Sequence, residues 1–428
     1  VNRCAKLLYR LNNPPAFVVN CYISRNMKGM RLLLKCILIC MIILGTKDVS
    51  AQEQFIEPPS KKITSFRFQL LTGGIIIVKA KLNNYPDSLQ FLLDTGSGGI
   101  SLDSMTVEKY RIPVVPSDKK IKGIGGIKTV SFLNDATLNF PGLQVEHLNF
   151  HVNDYEILSS VYGIKIDGII GYTFFSRYIV HIDYDHTVIN IFSQGEYKYP
   201  KGGYMLNPIF TSIPIQQTKF KDAKEFFQRF YFDTGAGLNF LLSENYAGDS
   251  TVLHRKRKAP VVTQAEGLGG KMTMRYTTVK WIKVGPYKFR KVPTHIFDDQ
   301  VNVTNYPLVG GLIGNDLLRR FNVTFNYAKQ EVHIIPNTQF RDFFDYAYTG
   351  LAIYNVDGQI LIDGVAPDSP AEKAGFKKDD YILAINNDFS KNIQSYRAKL
   401  QSIREKLTFL ISREGEIITL NLKPVSIL

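Results

Sequence analysis

Two copies of one tripeptide constrain this chain more than any other feature. Phe91-Leu92-Leu93-Asp94-Thr95-Gly96-Ser97-Gly98 is the first, and Phe230-Tyr231-Phe232-Asp233-Thr234-Gly235-Ala236-Gly237 is the second. Each begins as a short apolar run, which reads as a buried strand. Each ends in a carboxylate, a small hydroxyl and a glycine that lets the backbone turn. A carboxylate at the mouth of a buried strand is costly unless it is paired or shares a proton. A single Asp-Thr-Gly is most often ordinary strand-to-turn chemistry. Two copies in matching surroundings point instead to carboxylates that meet.

The surroundings do match. Gly123-Ile124-Gly125-Gly126 follows Asp94, and Gly267-Leu268-Gly269-Gly270 follows Asp233 at a similar distance. Asp167-Gly168-Ile169-Ile170-Gly171 has its counterpart in Gly310-Gly311-Leu312-Ile313-Gly314. Short helices are expected at Phe174–Arg177 and Leu317–Arg320, each followed by an alternating hairpin (178–192 and 321–335). The order acidic loop, glycine-rich hairpin, apolar-apolar-Gly segment, short helix, hairpin thus occurs twice. It divides residues 64–336 into two β-rich lobes, 64–200 and 201–336.

With these motifs together, the chain resembles the pepsin-type and retroviral aspartic proteases across nearly all of 64–336. The fold implied is mostly β: two homologous barrel-like lobes of the acid protease fold with the active site between them. The resemblance implies Asp94 and Asp233 as the catalytic pair. Thr95 and Thr234 would turn inward and tie the two loops together. Gly96 and Gly235 would leave space and donate backbone N–H groups, beside Ser97 and Ala236. Ile169-Ile170-Gly171 and Leu312-Ile313-Gly314 would thread beside the loops and support them. Gly123, Ile124, Gly125 and Gly126, with Gly267, Leu268, Gly269 and Gly270, would form two flaps closer in style to the retroviral enzymes, since pepsin's flap tyrosine is not evident near Gly123–Gly126. Two carboxylates about 3 Å apart cannot both ionise, so they share one proton and can activate a water. Ser97 differs from Ala236 in carrying a hydroxyl that could reach the outer carboxylate oxygen. Such chemistry needs no cofactor or metal, and the seven histidines show no metal-ligand spacing. His181 and His333 read as strand residues.

From residue 338 to 428 a third unit begins. Tyr348-Thr349-Gly350-Leu351-Ala352-Ile353, then Ser369-Pro370-Ala371, Ala374-Gly375 and Asp380-Tyr381-Ile382-Leu383-Ala384-Ile385-Asn386, resemble a bacterial PDZ domain. Asp379 stands where that family has glycine. Asn392–Lys406 is expected to be an amphipathic helix, and Leu407–Ile411 with Ile417–Leu422 a closing strand pair. The resemblance implies that Gly350, Leu351 and Ala352 present N–H groups to a peptide's terminal carboxylate, the peptide adding to a sheet edge. The alternative is that the unit only braces the body.

The start of the chain is of a different kind. A basic stretch, Met27-Lys28-Gly29-Met30-Arg31, precedes a mostly apolar run, Leu32–Gly45, and Val49-Ser50-Ala51 ends in small residues. That is the layout of a secretory signal peptide cleaved after Ala51, with residues 1–26 an upstream extension and an uncleaved anchor the alternative. The apolar run is short for a membrane span. All four cysteines, Cys4, Cys21, Cys36 and Cys40, precede the cleavage point. The mature chain is then cysteine-free and lacks a thiol nucleophile. Neither Cys36 nor Cys40 follows the small residue expected at a lipid-attachment site. Removing residues 1–51 leaves 44 basic and 37 acidic residues, a net charge of +7 rather than +14. That balance does not argue for nucleic acid. The run His254–Lys258 reads as a solvated loop. An exported protein of the bacterial cell envelope, periplasmic or extracellular, is expected. It would be monomeric because both lobes lie in one chain, and its partner would be a peptide or protein substrate. Two rivals remain: a catalytically silent peptide-binding scaffold of the same fold, and a serine hydrolase using Ser97, for which no histidine motif is found.

Overall fold

The computed structural model describes residues 33–35, 57–123, 126–249, 260–267 and 270–428. The chain separates into two units, Val1–Ile56 and Glu57–Leu428. In the first, residues 33–35 are helical, and the rest of the expected signal peptide lies outside the described residues. So do the flap tips Ile124, Gly125, Leu268 and Gly269, and the basic run 254–258. No described helix is long and apolar enough to cross a membrane. Everything below concerns the second unit.

It is built mostly of strands, and the internal repeat is visible as two sheets of the same strand order. In the first lobe the order is Gln69–Leu70, Ile76–Leu82, Ser88–Leu93, Gly168–Ile170, Ile100–Asp103, Leu143–Asn153, Phe132–Phe140. In the second it is Ile209–Phe210, Pro214–Lys221, Glu225–Asp233, Gly311–Gly314, Phe240–Ser243, Tyr287–Phe297, Gly270–Val284, Val261–Gly267. Each sheet curls back on itself, because Lys81 and Leu82 pair with Asn139 and Leu138, and Phe220 and Lys221 pair with Ile282 and Trp281. Alternation drives the curl. Phe91 and Leu93 point into one core with Phe150 and Leu138, while Leu92 between them joins a separate apolar cluster on the opposite face.

A six-stranded sheet underlies both lobes, in the order Lys62–Arg67, Val188–Phe192, Ile179–Asp183, Phe321–Asn326, Glu331–Pro336, Tyr204–Leu206. At its centre Val180, His181 and Ile182 pair with Phe325, Thr324 and Val323, one from each repeat. Phe175 stacks on Tyr327 with ring centres 5.5 Å apart, adding aromatic packing across the same seam. The two short helices are Tyr172–Phe175 and Asn315–Leu318, two residues earlier than their expected positions. They start immediately after Gly171 and Gly314 because Tyr172 N–H and Asn315 N–H are held by the carbonyls of Ser97 and Ala236. The chain must turn as soon as it has crossed.

The segment leading out of the second lobe is anchored by Arg320, which is 1% exposed. Its guanidinium donates to the Asp342 carbonyl at 2.6 Å and lies 4.1 Å from the centre of the Phe344 ring. Beyond it is a five-stranded sheet ordered Leu351–Val356, Gln359–Val365, Tyr381–Ile385, Leu407–Arg413, Glu416–Leu422, with its own core around Ile360, Tyr396 and Phe409. Asp379 adopts φ +69°, so the left-handed turn persists without glycine. The fully buried neighbour Asp380 fixes it, accepting from Lys377 N–H and from a two-pronged Arg413 at 2.6 and 2.7 Å. The expected helix 392–406 is shorter, Ile393–Leu400, capped by the Asn392 side chain. The chain has to reverse before Leu407 enters its register opposite Leu422.

Candidate active site

Strand Ser88–Leu93 runs parallel to Gly168–Ile170, and Glu225–Asp233 runs parallel to Gly311–Gly314. Each acidic loop therefore leaves its strand beside an apolar-apolar-Gly crossing segment. Asp94 N–H donates to the Ile170 carbonyl at 2.9 Å. A Cβ on Gly171 would collide with the carbonyls of Ser97 and Gly99, and one on Gly314 with those of Leu238 and Ala236. Glycine at these two positions is thus a matter of close approach between backbones.

The two loops are tied to each other reciprocally. Thr95 N–H donates to Thr234 Oγ1 at 3.0 Å, and Thr234 N–H donates to Thr95 Oγ1 at 3.0 Å. The Thr95 hydroxyl donates to the Phe232 carbonyl at 2.8 Å, and the Thr234 hydroxyl to the Leu93 carbonyl at 3.0 Å. Both threonines are buried. Every donor and acceptor in this knot is used, which offsets the cost of burying it.

The knot brings Asp94 and Asp233 into hydrogen-bonding contact across the pseudo-twofold axis. Gly96 N–H donates to Asp94 Oδ1 at 2.7 Å. Asp233 Oδ1 accepts from Gly235 N–H at 2.9 Å and Ala236 N–H at 3.0 Å. Burial pushes the Asp94 carboxyl well above the ordinary carboxylate range, the charge of Asp233 adds to this, and the N–H groups of Gly96 and Gly235 oppose it. Burial also raises Asp233, against the bond from Asp94 and the N–H groups of Gly235 and Ala236. The proton belongs to the pair. The Ser97 hydroxyl makes no hydrogen bond to Asp94, so the role expected for it falls to backbone N–H groups.

Above the pair lies a cleft of about 590 Å³. One wall is Leu92, Leu158 and Ile169, and the other is Tyr231, Leu241, Met274 and Leu312. The expected flaps are hairpins. Lys120–Gly123 pairs with Gly126–Thr129, and Val261–Gly267 pairs with the start of Gly270–Val284. Gly126 and Gly270 share φ +133°, a conformation that glycine tolerates. Ile121, Lys122 and Gly123 line the cleft, and Lys122 Nζ reaches across it to the Asn302 carbonyl at 2.6 Å. On the second side it is Ala265 that lines the cleft.

Three further cleft residues carry no signal in the sequence. Tyr155 is 1% exposed, its hydroxyl 2.6 Å from that of Ser101, and burial pushes its pKa far above the ordinary phenol range. Burial lowers His151 to about 4, leaving it neutral above that pH. Tyr162 also lines it. They come from a strand, a loop and a helix that each follow an unremarkable pattern. His181 and His333 sit in strands of the six-stranded sheet, and among the described residues no cluster of His, Cys, Asp or Glu could hold a metal.

Gly350, Leu351 and Ala352 line a second chamber, of about 560 Å³, between the C-terminal sheet and both lobes. Gly350 has φ +81°, and its opposite face is packed on Ser369.

The sequence pattern of the family described as "Aspartyl protease" matches residues 78–174 and 218–317, and that of "PDZ domain" matches residues 361–413. A protein described as "Probable serine protease do-like", from Buchnera aphidicola subsp. Acyrthosiphon pisum (strain APS), is 40% identical over 68 residues, 16% of this chain and 14% of that protein. The chain thus spans about a seventh of that relative's length. The threonines of the two acidic loops are 139 residues apart, so a 68-residue match cannot contain both loops.

Proposed function

We propose that this chain, an aspartyl protease domain joined to a C-terminal PDZ domain, is an endopeptidase whose nucleophile is a water held between Asp94 and Asp233. The reading rests above all on one arrangement: two carboxyls from separate halves of the chain, in contact, held by a fully satisfied threonine knot and raised by burial. The charged member of the pair takes a proton from the water as its oxygen attacks the scissile carbonyl carbon. The protonated member donates to the carbonyl oxygen. Collapse of the resulting tetrahedral species breaks the C–N bond, with a proton passing to the departing amine. The apolar walls favour hydrophobic side chains on either side of the scissile bond. The hairpin Lys120–Thr129 covers the substrate and excludes water.

A silent scaffold would not need both carboxyls in contact. The serine alternative lacks a base, since Ser97 has no hydrogen-bonded histidine among the described residues. The layout of residues 27–51 supports export to the cell envelope, and two lobes in one chain support a monomeric enzyme.

A peptide library digested from acidic to neutral pH tests the activity. Asp94→Asn and Asp233→Asn are each expected to lower kcat/KM by about 10³–10⁴-fold with the fold retained. Inhibition by a pepstatin-type compound and indifference to serine-reactive reagents are expected. Full cleavage by either Asn variant would remove the proposal.

A further inference from the structure

The outside of the second lobe's curled sheet gathers cations around an exposed aromatic ring. Strands Glu225–Asp233, Pro214–Lys221, Gly270–Val284 and Tyr287–Phe297 lie side by side where the sheet closes on itself. Phe220, Phe226, Ile282 and Phe289 belong to the core there. Alternation therefore turns their neighbours outward. Across the four strands Phe227 stands opposite Lys219, Lys221 opposite Trp281, Trp281 opposite Arg290, and Lys283 opposite Lys288. Arg229 extends the face along the first strand. Phe227 is 58% exposed, with Lys219 Nζ 5.7 Å from its ring centre. Trp281, the single tryptophan of the sequence, has Lys288 Nζ over its ring at 4.3 Å.

This face is unbalanced in charge. Lys219, Lys221, Arg229, Lys283, Lys288 and Arg290 stand on it, and the acid in the same rows is Glu225, which pairs loosely with Lys221 at 3.7 Å. The other five cations have no ion-pair partner among the described residues. Like charges directly opposite each other on neighbouring strands, as at Lys283 and Lys288, are destabilising. Dense negative charge laid over the face offsets that repulsion. Lysines suit a plane of phosphates, because each long stem can tilt while its amine stays among the headgroups. Phe227 adds a second requirement, a partner with an apolar layer beneath its charge. An anionic lipid surface meets both requirements, and a soluble polyanion meets only the first.

We propose that this face docks on membranes that expose anionic phospholipid headgroups, with the Phe227 ring entering the interfacial layer. The proposal stands apart from the endopeptidase reading and from the layout of residues 27–51. Phe227 precedes Asp233 by six residues of one strand, about 20 Å at the usual rise, so the docked face is separate from the acidic pair.

Trp281 reports on the contact. Energy transfer from its ring to a dansyl-labelled headgroup requires this face to lie at the surface, however else the chain is held. The full chain is titrated with labelled vesicles of phosphatidylcholine alone, and of phosphatidylcholine and phosphatidylglycerol in equal parts. Transfer is expected with the mixed vesicles and is expected to weaken as salt is raised. Lys283→Gln combined with Lys288→Gln is expected to raise the half-saturating lipid concentration about 25-fold, or about fivefold per charge removed. Phe227→Ala is expected to raise it about fivefold. Equal transfer from both kinds of vesicle, or an unchanged titration in the double lysine variant, overturns the proposal. An unchanged titration in Phe227→Ala, with full displacement by inorganic polyphosphate at equal phosphate concentration, also overturns it and assigns the face to soluble polyanions.

Discussion

Thr95 and Thr234 each serve as donor, acceptor and spacer at once, and the energetic consequence can be stated for one atom. Replacing Thr95 by Val keeps the shape but removes Oγ1, which leaves Thr234 N–H without an acceptor and the Phe232 carbonyl without a donor. Two orphaned groups in a buried site should cost about 2–4 kcal/mol in urea unfolding, and Thr95→Ser, which keeps the oxygen, well under half of that. Equal losses in both variants would show that the methyl, not the hydroxyl, holds the loops. The carboxyls make a second residue-scale prediction. Both stand above the usual carboxylate value of 3.8 when folded, chiefly through burial. A raised acid binds its proton more tightly in the folded state, so it lowers stability progressively as pH rises from the unfolded value toward the folded one. Asn at position 94 removes that loss. The melting temperature of Asp94→Asn should match wild type near about pH 3 and exceed it increasingly as pH rises above about 4. A pH-independent difference would exclude this origin. Residue-level chemistry was legible in the sequence where it is contiguous, as in Asp94-Thr95-Gly96. It was illegible for Tyr155, His151 and Tyr162, whose meeting in the cleft depends on how a strand, a loop and a helix are assembled.

At the scale of elements, the loop-and-crossing unit is what makes the site. Gly168-Ile169-Ile170 lies in the sheet between Phe91-Leu92-Leu93 and Ile100-Ser101-Leu102, with Gly171 just beyond it, so the crossing segment is both a strand and the wall behind the acidic loop. Gly171→Ala forces its methyl against the carbonyls of Ser97 and Gly99. The loop has to move, and about 1–3 kcal/mol of stability should be lost. Because the shift falls on the residues after Asp94, kcat should drop more than the stability change requires at a temperature where the protein is still folded. Steady-state kinetics beside thermal unfolding check this, and unchanged kcat in a destabilised protein would confine Gly171 to packing. The repeat of crossing segments could be read directly, since apolar-apolar-Gly is a local pattern. Two other features could not. The short helices start at Tyr172 and Asn315 because of bonds to the acidic loop of their own lobe, far away in sequence, which no helix signal in their own sequence encodes. The hairpins 179–192 and 321–336 read as lobe-local pairs, yet their strands join across the repeats, a long-range pairing that alternation alone does not specify.

In the whole molecule, the PDZ domain does more than follow the second lobe: it holds the hairpin whose Ala265 lines the cleft. Gln264, on one strand of that hairpin, donates to the Tyr354 hydroxyl at 3.1 Å and to Asp363 Oδ2 at 3.3 Å. Lys271, on the other strand, pairs with Asp363 Oδ1 at 2.7 Å and lies over the Tyr354 ring. The Tyr348 hydroxyl donates to the Val262 carbonyl at 2.8 Å. The first hairpin, a separate two-stranded sheet, crosses the cleft through Lys122 instead. The pseudo-symmetric pair of flaps is thus unequal, and the second one is set by the appended domain. Asp363→Ala separates bracing from control. The Lys271 side chain is 40% exposed, so loss of the pair should cost no more than about 1 kcal/mol in unfolding. If the domain sets the hairpin's position over substrate, kcat/KM should fall further, about 5- to 30-fold, the size of a typical coupling between sites. Lys271→Ala should act through the same link, so the double variant should be little worse than either alone. Raised salt should weaken the wild type toward the variants, since this pair is partly solvated. Unchanged kcat/KM in both single variants, at the modest stability loss expected, would reduce the PDZ domain's role at this hairpin to a brace.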